Sequence, residues 1–127
     1  MNNENPFDAH MTIDPKRYRF RIHKTTLHRL SNPKYVQFLI NPENLYMTIL
    51  GFDKPIAGGK SKKIIVELST KSNMEFTNSN LLGEILEIFS MLDFRYSYHL
   101  SGVIDQVNRV AYFNLNTIKK VDRRPAR

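Results

Sequence analysis

From Arg17 to Lys24 the chain reads Arg-Tyr-Arg-Phe-Arg-Ile-His-Lys, with a cationic or imidazole side chain at every second position to His23. Successive side chains of an extended strand point to opposite faces. Arg17, Arg19, Arg21 and His23 would therefore share one face, and Tyr18, Phe20 and Ile22 the other. An apolar face is buried against a core, which leaves a row of guanidinium groups in water. The guanidinium is a planar fork that grips two phosphate oxygens, or the edge of a guanine, at once. The chemistry this spacing offers is recognition of a polyanion. Lys24 and Lys34 extend the row, and Lys60, Lys62 and Lys63, in a Gly-rich stretch, could act as an arm.

Other constellations are weaker. The histidines His10, His23, His28 and His99 include no pair at the i, i+4 spacing of a helical zinc motif, and there is no cysteine to complete a structural site. No Gly-x-Ser-x-Gly elbow marks a serine nucleophile. Gly58-Gly59-Lys60-Ser61 has the end of a phosphate-binding loop but Lys54 where its first glycine should be. Glu84 and Glu87 fall on the polar side of a helix, where solvated carboxylates are ordinary. Phe94, Tyr96 and Tyr98 alternate and could stack bases if exposed, but they share their side with Leu100 and read as core. The expectation is a protein without enzymatic activity, cofactor or metal.

The bulk properties agree with a polyanion partner. The chain has 127 residues, a formal charge of +7 and a sequence pI near 9.8, with 41% hydrophobic and 24% charged residues, the usage of an ordinary folded domain. Zero cysteines exclude a disulfide framework, a thiolate metal cluster and a cysteine nucleophile. The longest apolar run, Val110–Phe113, is far below the roughly 18 residues of a membrane-spanning helix, and no secretory leader pattern is seen, so the expected location is cytoplasmic. Charge is uneven. From Pro15 to Pro42 there are seven basic residues and no acid, while Ser72 to Ile118 holds two basic and five acidic residues.

These side chains need a scaffold. Residues 1–14, rich in Asn and lacking a sustained apolar period, read as a flexible arm. A strand over Tyr18–His23 leads into a short helix carrying Leu27 and Leu30, with Thr25 as N-cap. Tyr35–Ile40 and Leu45–Leu50 flank Asn41-Pro42-Glu43-Asn44 as a hairpin. Strands are expected at Ile64–Leu68 and Asn73–Phe76. A helix over Leu81–Leu92, entered through Asn78-Ser79-Asn80, carries a wide apolar stripe. Phe94–Leu100 and Arg109–Leu115 follow as strands around Ser101-Gly102, and residues 119–127 form a basic tail. The expected class is α+β: one β-rich domain over residues 15–118, a small barrel or continuous sheet with the longer helix packed on it.

The halves, about 17–50 and 73–115, repeat the order strand, helix, hairpin. Phe20, Ile22, Thr25 and Leu27 match Met74, Phe76, Ser79 and Leu81 at an offset of 54, and Met47 and Ile49 match Val110 and Tyr112. The first unit, Arg-Phe-Arg-Ile-His-Lys, a short helix and a hairpin ending in Met47-Thr48-Ile49, resembles the swapped-hairpin DNA-binding module of AbrB-type regulators, and tandem copies resemble MraZ-type regulators. His23 and Pro33-Lys34 stand where that family has proline and Gly-Asp. The resemblance implies an interlocked barrel, a homodimer or higher homo-oligomer, and duplex DNA contacted through Arg19, Arg21 and Lys24. The function expected is that of a nucleic-acid-binding protein, a DNA-binding transcription regulator. The alternatives are an assembly module using the acidic half and the apolar helix, or a clamp-like or single-strand-binding accessory factor.

Overall fold

A computed structural model describes residues 7–54, 64–67, 74–90 and 92–121. Its strands are β1 (Asp8–Asp14), β2 (Arg19–Ile22), β3 (Tyr35–Asn41), β4 (Tyr46–Phe52), β5 (Ile64–Glu67), β6 (Met74–Thr77), β7 (Ser97–Asp105), β8 (Val110–Asn114) and β9 (Lys119–Val121), with helices α1 (Lys24–Arg29) and α2 (Ser79–Ile88). All pairings are antiparallel, in the order β5-β3-β4-β8-β7-β1-β2-β6, and the sheet curls into a half-barrel. β8 pairs with Gly102–Asp105 of β7, and β9 pairs with Ser97–His99 further along that strand. The coarse expectation of a β-rich α+β chain with a helix packed on a sheet is what is observed.

Alternation writes the core. Ala9, Met11, Ile13, Phe20, Val36, Phe38, Met47, Ile49, Leu100, Ala111 and Phe113 turn to one face of the sheet, each at most 2% exposed. Leu27 and Leu30 at the end of α1, and Leu81, Leu82 and Ile85 of α2, close over them. Each fully buried side chain of this size contributes roughly 1.5–3 kcal/mol relative to exposure. The apolar stripe of α2 is thus consumed by the chain's own core, with Leu86, Ile88, Phe89 and Leu92 packed at its margin. Asn78 is the N-cap as expected, its Oδ1 accepting from Leu81 N at 2.9 Å, but the helix ends at Ile88 rather than Leu92.

The largest departure is at the N-terminus. Residues 8–14, expected to be part of an arm, form β1 and lie between β7 and β2. Ala9, Met11 and Ile13 alternate over too short a span to stand out beside the Asn-rich start, and only pairing on both edges makes that alternation decisive. β2 begins at Arg19, because Pro15 starts a 3₁₀ turn that Tyr18 closes in the left-handed region at φ 53°. Tyr18 is consequently exposed, not core. The N-cap of α1 is His23, not Thr25. β7 runs straight through Ser101-Gly102: a Cβ on Gly102 would collide with the Tyr112 carbonyl and lie 2.9 Å from Phe113 Cα, so glycine serves close strand approach here and makes no turn. The turn comes at residues 106–109, where both carboxylate oxygens of Asp105 accept from Asn108. There Arg109 Nη1 and Nη2 donate to Asp53 at 2.9 and 2.8 Å and Nε to Leu30 O at 3.0 Å, tying the turn to α1 and the end of β4. Lys119–Val121, expected in a tail, is β9.

The order β1-β2-α1-β3-β4 is followed by β5-β6-α2-β7-β8. Phe20 pairs with Phe76 and Ile22 with Met74, so the residues matched at an offset of 54, Phe20 with Met74 and Ile22 with Phe76, lie diagonally across the β2–β6 pair. At the later strands the matched residues are one place out: Ala111 and Phe113, not Val110 and Tyr112, share the core face with Met47 and Ile49. A one-residue slip changes face.

Because β1 is paired along both edges and contributes three residues with no exposed area, deletion of residues 1–14 should abolish the cooperative urea transition, and Met11→Ala should cost roughly 2–5 kcal/mol. A cooperative transition retained by the truncated chain would contradict the central place of β1.

Candidate nucleic-acid interface

The solvent side of β9, β7, β1, β2 and β6 is built by register. One row crosses the sheet as Lys119, His99, Thr12, Arg21 and Glu75, each opposite the next. A second runs Asp14, Arg19, Thr77, and a third places His10 beside Ser101. Phe20 and Ile22 are buried while Arg21 is exposed and Arg19 half-buried, which is the arrangement expected of this strand. Neighbouring strands lie about 4.8 Å apart, so the cations of β9 and β2 and the imidazole of β7 form one surface. Among the described residues neither Arg19 nor Arg21 makes an ion pair, although carboxylates stand opposite both.

The other candidate residues fall differently. Arg17 lies in the 3₁₀ turn, its Nη1 held by Asp14 Oδ2 at 3.0 Å; the charge is partly offset and the side chain leaves the row. It lines, with Tyr18, Thr77, Asn78, Ser79 and Asn80, an open polar cleft of about 530 Å³ at the end of the arginine strand. Lys24 is exposed at the first position of α1. Lys34 precedes β3 and stands near Asp53, at the part of the sheet tied by Arg109, so it does not extend the row. Lys60, Lys62 and Lys63 lie outside the described residues, as do residues 1–6 and 122–127. Tyr98 is core at 4% exposed, but Phe94 precedes β7 and is exposed, and Tyr96 lies half-buried under Lys120 Nζ, 4.6 Å from the ring centre.

Sequence reasoning placed His23 on the cationic face but missed that His10 and His99 join it there. His10 of β1, His23 at the entrance of α1 and His99 of β7 meet on the cationic face, with ring centres 5.2 Å apart for His10 and His99 and 5.8 Å for the other two pairs. His10 Nδ1 and His99 Nε2 are 3.2 Å apart, and His23 Nε2 is 3.0 Å from Thr12 Oγ1. Local structure fixes them. β2 stops at Ile22, and His10 is held beyond it by His23 N–H, which donates to its carbonyl at 3.2 Å, and by Thr26 of α1, whose hydroxyl accepts from its N–H at 2.8 Å and donates to the same carbonyl at 3.3 Å. Thr117 does the same for Ser101 just before Lys119 arrives opposite His99. Burial, then the charges of His99, His10 and Arg21, holds His23 below the usual imidazole value of 6.5; burial, then His10 and Lys119, does so for His99. The available signal was strand parity, visible only once residues 8–14 are recognised as a strand. His28 is exposed on α1 and takes no part in these ring contacts.

The outward face continues across β3, β4 and β8. Leu39, Thr48, Tyr112 and Val103 are successive cross-strand neighbours, and Leu39, Tyr112, Val103 and nearby Tyr46 are exposed. Among the described residues no helix is long and apolar enough to cross a membrane. No family model matches the chain, and no match was found among curated proteins or solved structures.

A histidine held below its ordinary value favours the neutral form in the folded chain. Below about pH 6.5 the unfolded chain then takes up protons the folded chain does not. The stability from His23 and His99 is full above that pH and is lost as pH falls toward their folded values. Asp53, Asp93 and Asp105, shifted down by Arg109, Arg95 and Asn108 respectively, lose theirs only below the ordinary carboxylate value of 3.8, Asp93 through about 2. Urea midpoints should therefore fall between about pH 7 and pH 5, and His23→Gln with His99→Gln should flatten that fall. A flat wild-type profile over this window would contradict the assignment.

Proposed function

We propose that this protein binds nucleic acid, DNA in the first instance, through the face of β2, β1, β7 and β9, as a non-enzymatic regulator or accessory factor. The observation that carries this reading is the surface formed by Arg19, Arg21, His10, His23, His99 and Lys119, whose reverse is the hydrophobic core. Arg19 and Arg21 reach phosphate oxygens as charge-assisted donors, and Lys24 adds a point charge at the edge. Tyr46 and Tyr112, exposed on the same side of the sheet, suit stacking of unpaired bases, which favours a single strand as substrate. The exposed apolar row of Leu39, Tyr112 and Val103 also favours a second reading for that part of the sheet, as the contact with another copy of the chain.

The fold reading that accompanies this is an internal duplication of a strand-strand-helix-strand-strand unit. Exchanging β1–β4 with β5–β8 converts the β1–β7 pairing into β5–β3 and β3–β4 into β7–β8, and returns β4–β8 and β2–β6 to themselves; of these strands' pairings only β1–β2 has no counterpart among the described residues, because β5 and β6 stand at the two ends of the sheet order. That pattern supports two units about an approximate twofold, of which the first keeps the arginines and the second carries Glu75 at the corresponding place.

Arg19→Ala with Arg21→Ala should weaken binding of duplex and single-stranded DNA in a mobility-shift titration. It should also reduce the slope of log affinity against log salt by roughly 2 for duplex, about 0.9 for each lost phosphate contact. Thermal stability should change little, since Arg21 is exposed and half-buried Arg19 makes no ion pair among the described residues. Equal binding by the variant at low salt would overturn the assignment.

A further inference from the structure

We propose that His10, His23 and His99, with Arg21 and Lys119 at their flanks, form a site for a phosphodiester group of the bound nucleic acid, and that occupation of this site is coupled to proton uptake. The inference rests on the nucleic-acid reading and specifies which group sits at its centre. Three imidazoles with ring centres within 5.8 Å are crowded. The 3.2 Å contact between His10 Nδ1 and His99 Nε2 needs one nitrogen to donate and the other to accept, so the pair holds that contact with one proton between the two atoms. A second proton there would set two donors against each other.

The surroundings decide what relieves this. Arg21 of β2 and Lys119 of β9 face the cluster, and both oppose its protonation, as do the histidines one another. The acidic side chains on the adjoining strands are Asp8 and Asp14 of β1, the latter held by Arg17 Nη1 at 3.0 Å, Asp105 of β7, bonded to Asn108, and Glu75 of β6, on the far side of Arg21. On α1, Lys24, His28 and Arg29 add positive or titratable groups. A divalent cation is a poor occupant between two fixed cations, and among the described residues no group of three histidine, cysteine or acidic side chains has the arrangement to hold a metal ion. An anion reverses every one of these repulsions. A phosphodiester placed over the cluster favours imidazolium, which donates from both ring nitrogens, while Arg21 and Lys119 supply further donors. The phosphodiester is itself fully ionised, so the protons taken up belong to the protein.

The test is the affinity of the full chain for a short oligothymidylate across about pH 5.5–7.5 at constant ionic strength, with histidine ring resonances followed by NMR in the free and bound protein. The expected result is affinity rising on the order of tenfold for each unit by which pH falls within the titration range, one proton taken up per site bound, together with an upward move of the His23 and His99 titrations on binding. The double variant His10→Gln, His99→Gln should lose most of that pH dependence; should it fail to fold, the wild-type ring titrations decide. Binding that is independent of pH, with unmoved histidine titrations, overturns this site and leaves the nucleic-acid reading standing. No binding at any pH in low salt overturns both.

Discussion

The pairing of β1 with β2 on one edge and β7 on the other is the constraint on which the rest depends. It buries Ala9, Met11 and Ile13 without exposed area, and it joins strands that are remote in sequence. Without it, Arg21 and His99 have no common surface, since Thr12 is the residue opposite both. The same pairing sets His10 against His99 across 89 positions of sequence. Core and candidate site are therefore two sides of one strand: the residues that alternate inward hold the sheet, and those between them place the charges.

Electrostatics selects among the arginines. Arg17 is offset by Asp14 in a tight turn and Arg109 by Asp53 in a staple between elements, while Arg95 lies in a short-range pair with Asp93 that raises its proton affinity. Such pairs tie chain to chain, though exposed ones contribute little stability individually. Arg19 and Arg21 stand apart from this pattern. They occupy a regular strand, make no ion pair among the described residues and lie outside the buried core. Positive charge kept in a fixed array with no ion-pair partner among the described residues is the physical basis for the external partner proposed above.

Much of the fold could be read from periodicity: the β3–β4 hairpin with its Asn41-Pro42 turn, α2 with Asn78 as its cap, and the inward Phe20 and Ile22 with outward Arg19 and Arg21. These features are local. The readings that changed depended on distant partners. Residues 8–14 are a strand because β2 and β7 flank them, and Ser101-Gly102 is not a turn because Gly102 lets the β8 backbone approach. Lys119–Val121 is a strand because β7 leaves an edge for it. The histidine cluster was hidden for the same reason: its members have no motif spacing, and they meet only through the register of β1. Of the cationic residues singled out, Arg19 and Arg21 lie in the array, Lys24 at its edge, and Arg17 and Lys34 in other settings.

The most direct measurement is a map of backbone amide and arginine side-chain chemical shifts as an oligonucleotide is titrated into the protein at low salt. The account predicts that the changes concentrate on β2, β1, β7 and β9, with the Nε–H groups of Arg19 and Arg21 and the neighbourhood of His10 and His99 moving most. Changes confined to α2, or no changes at all, would contradict it.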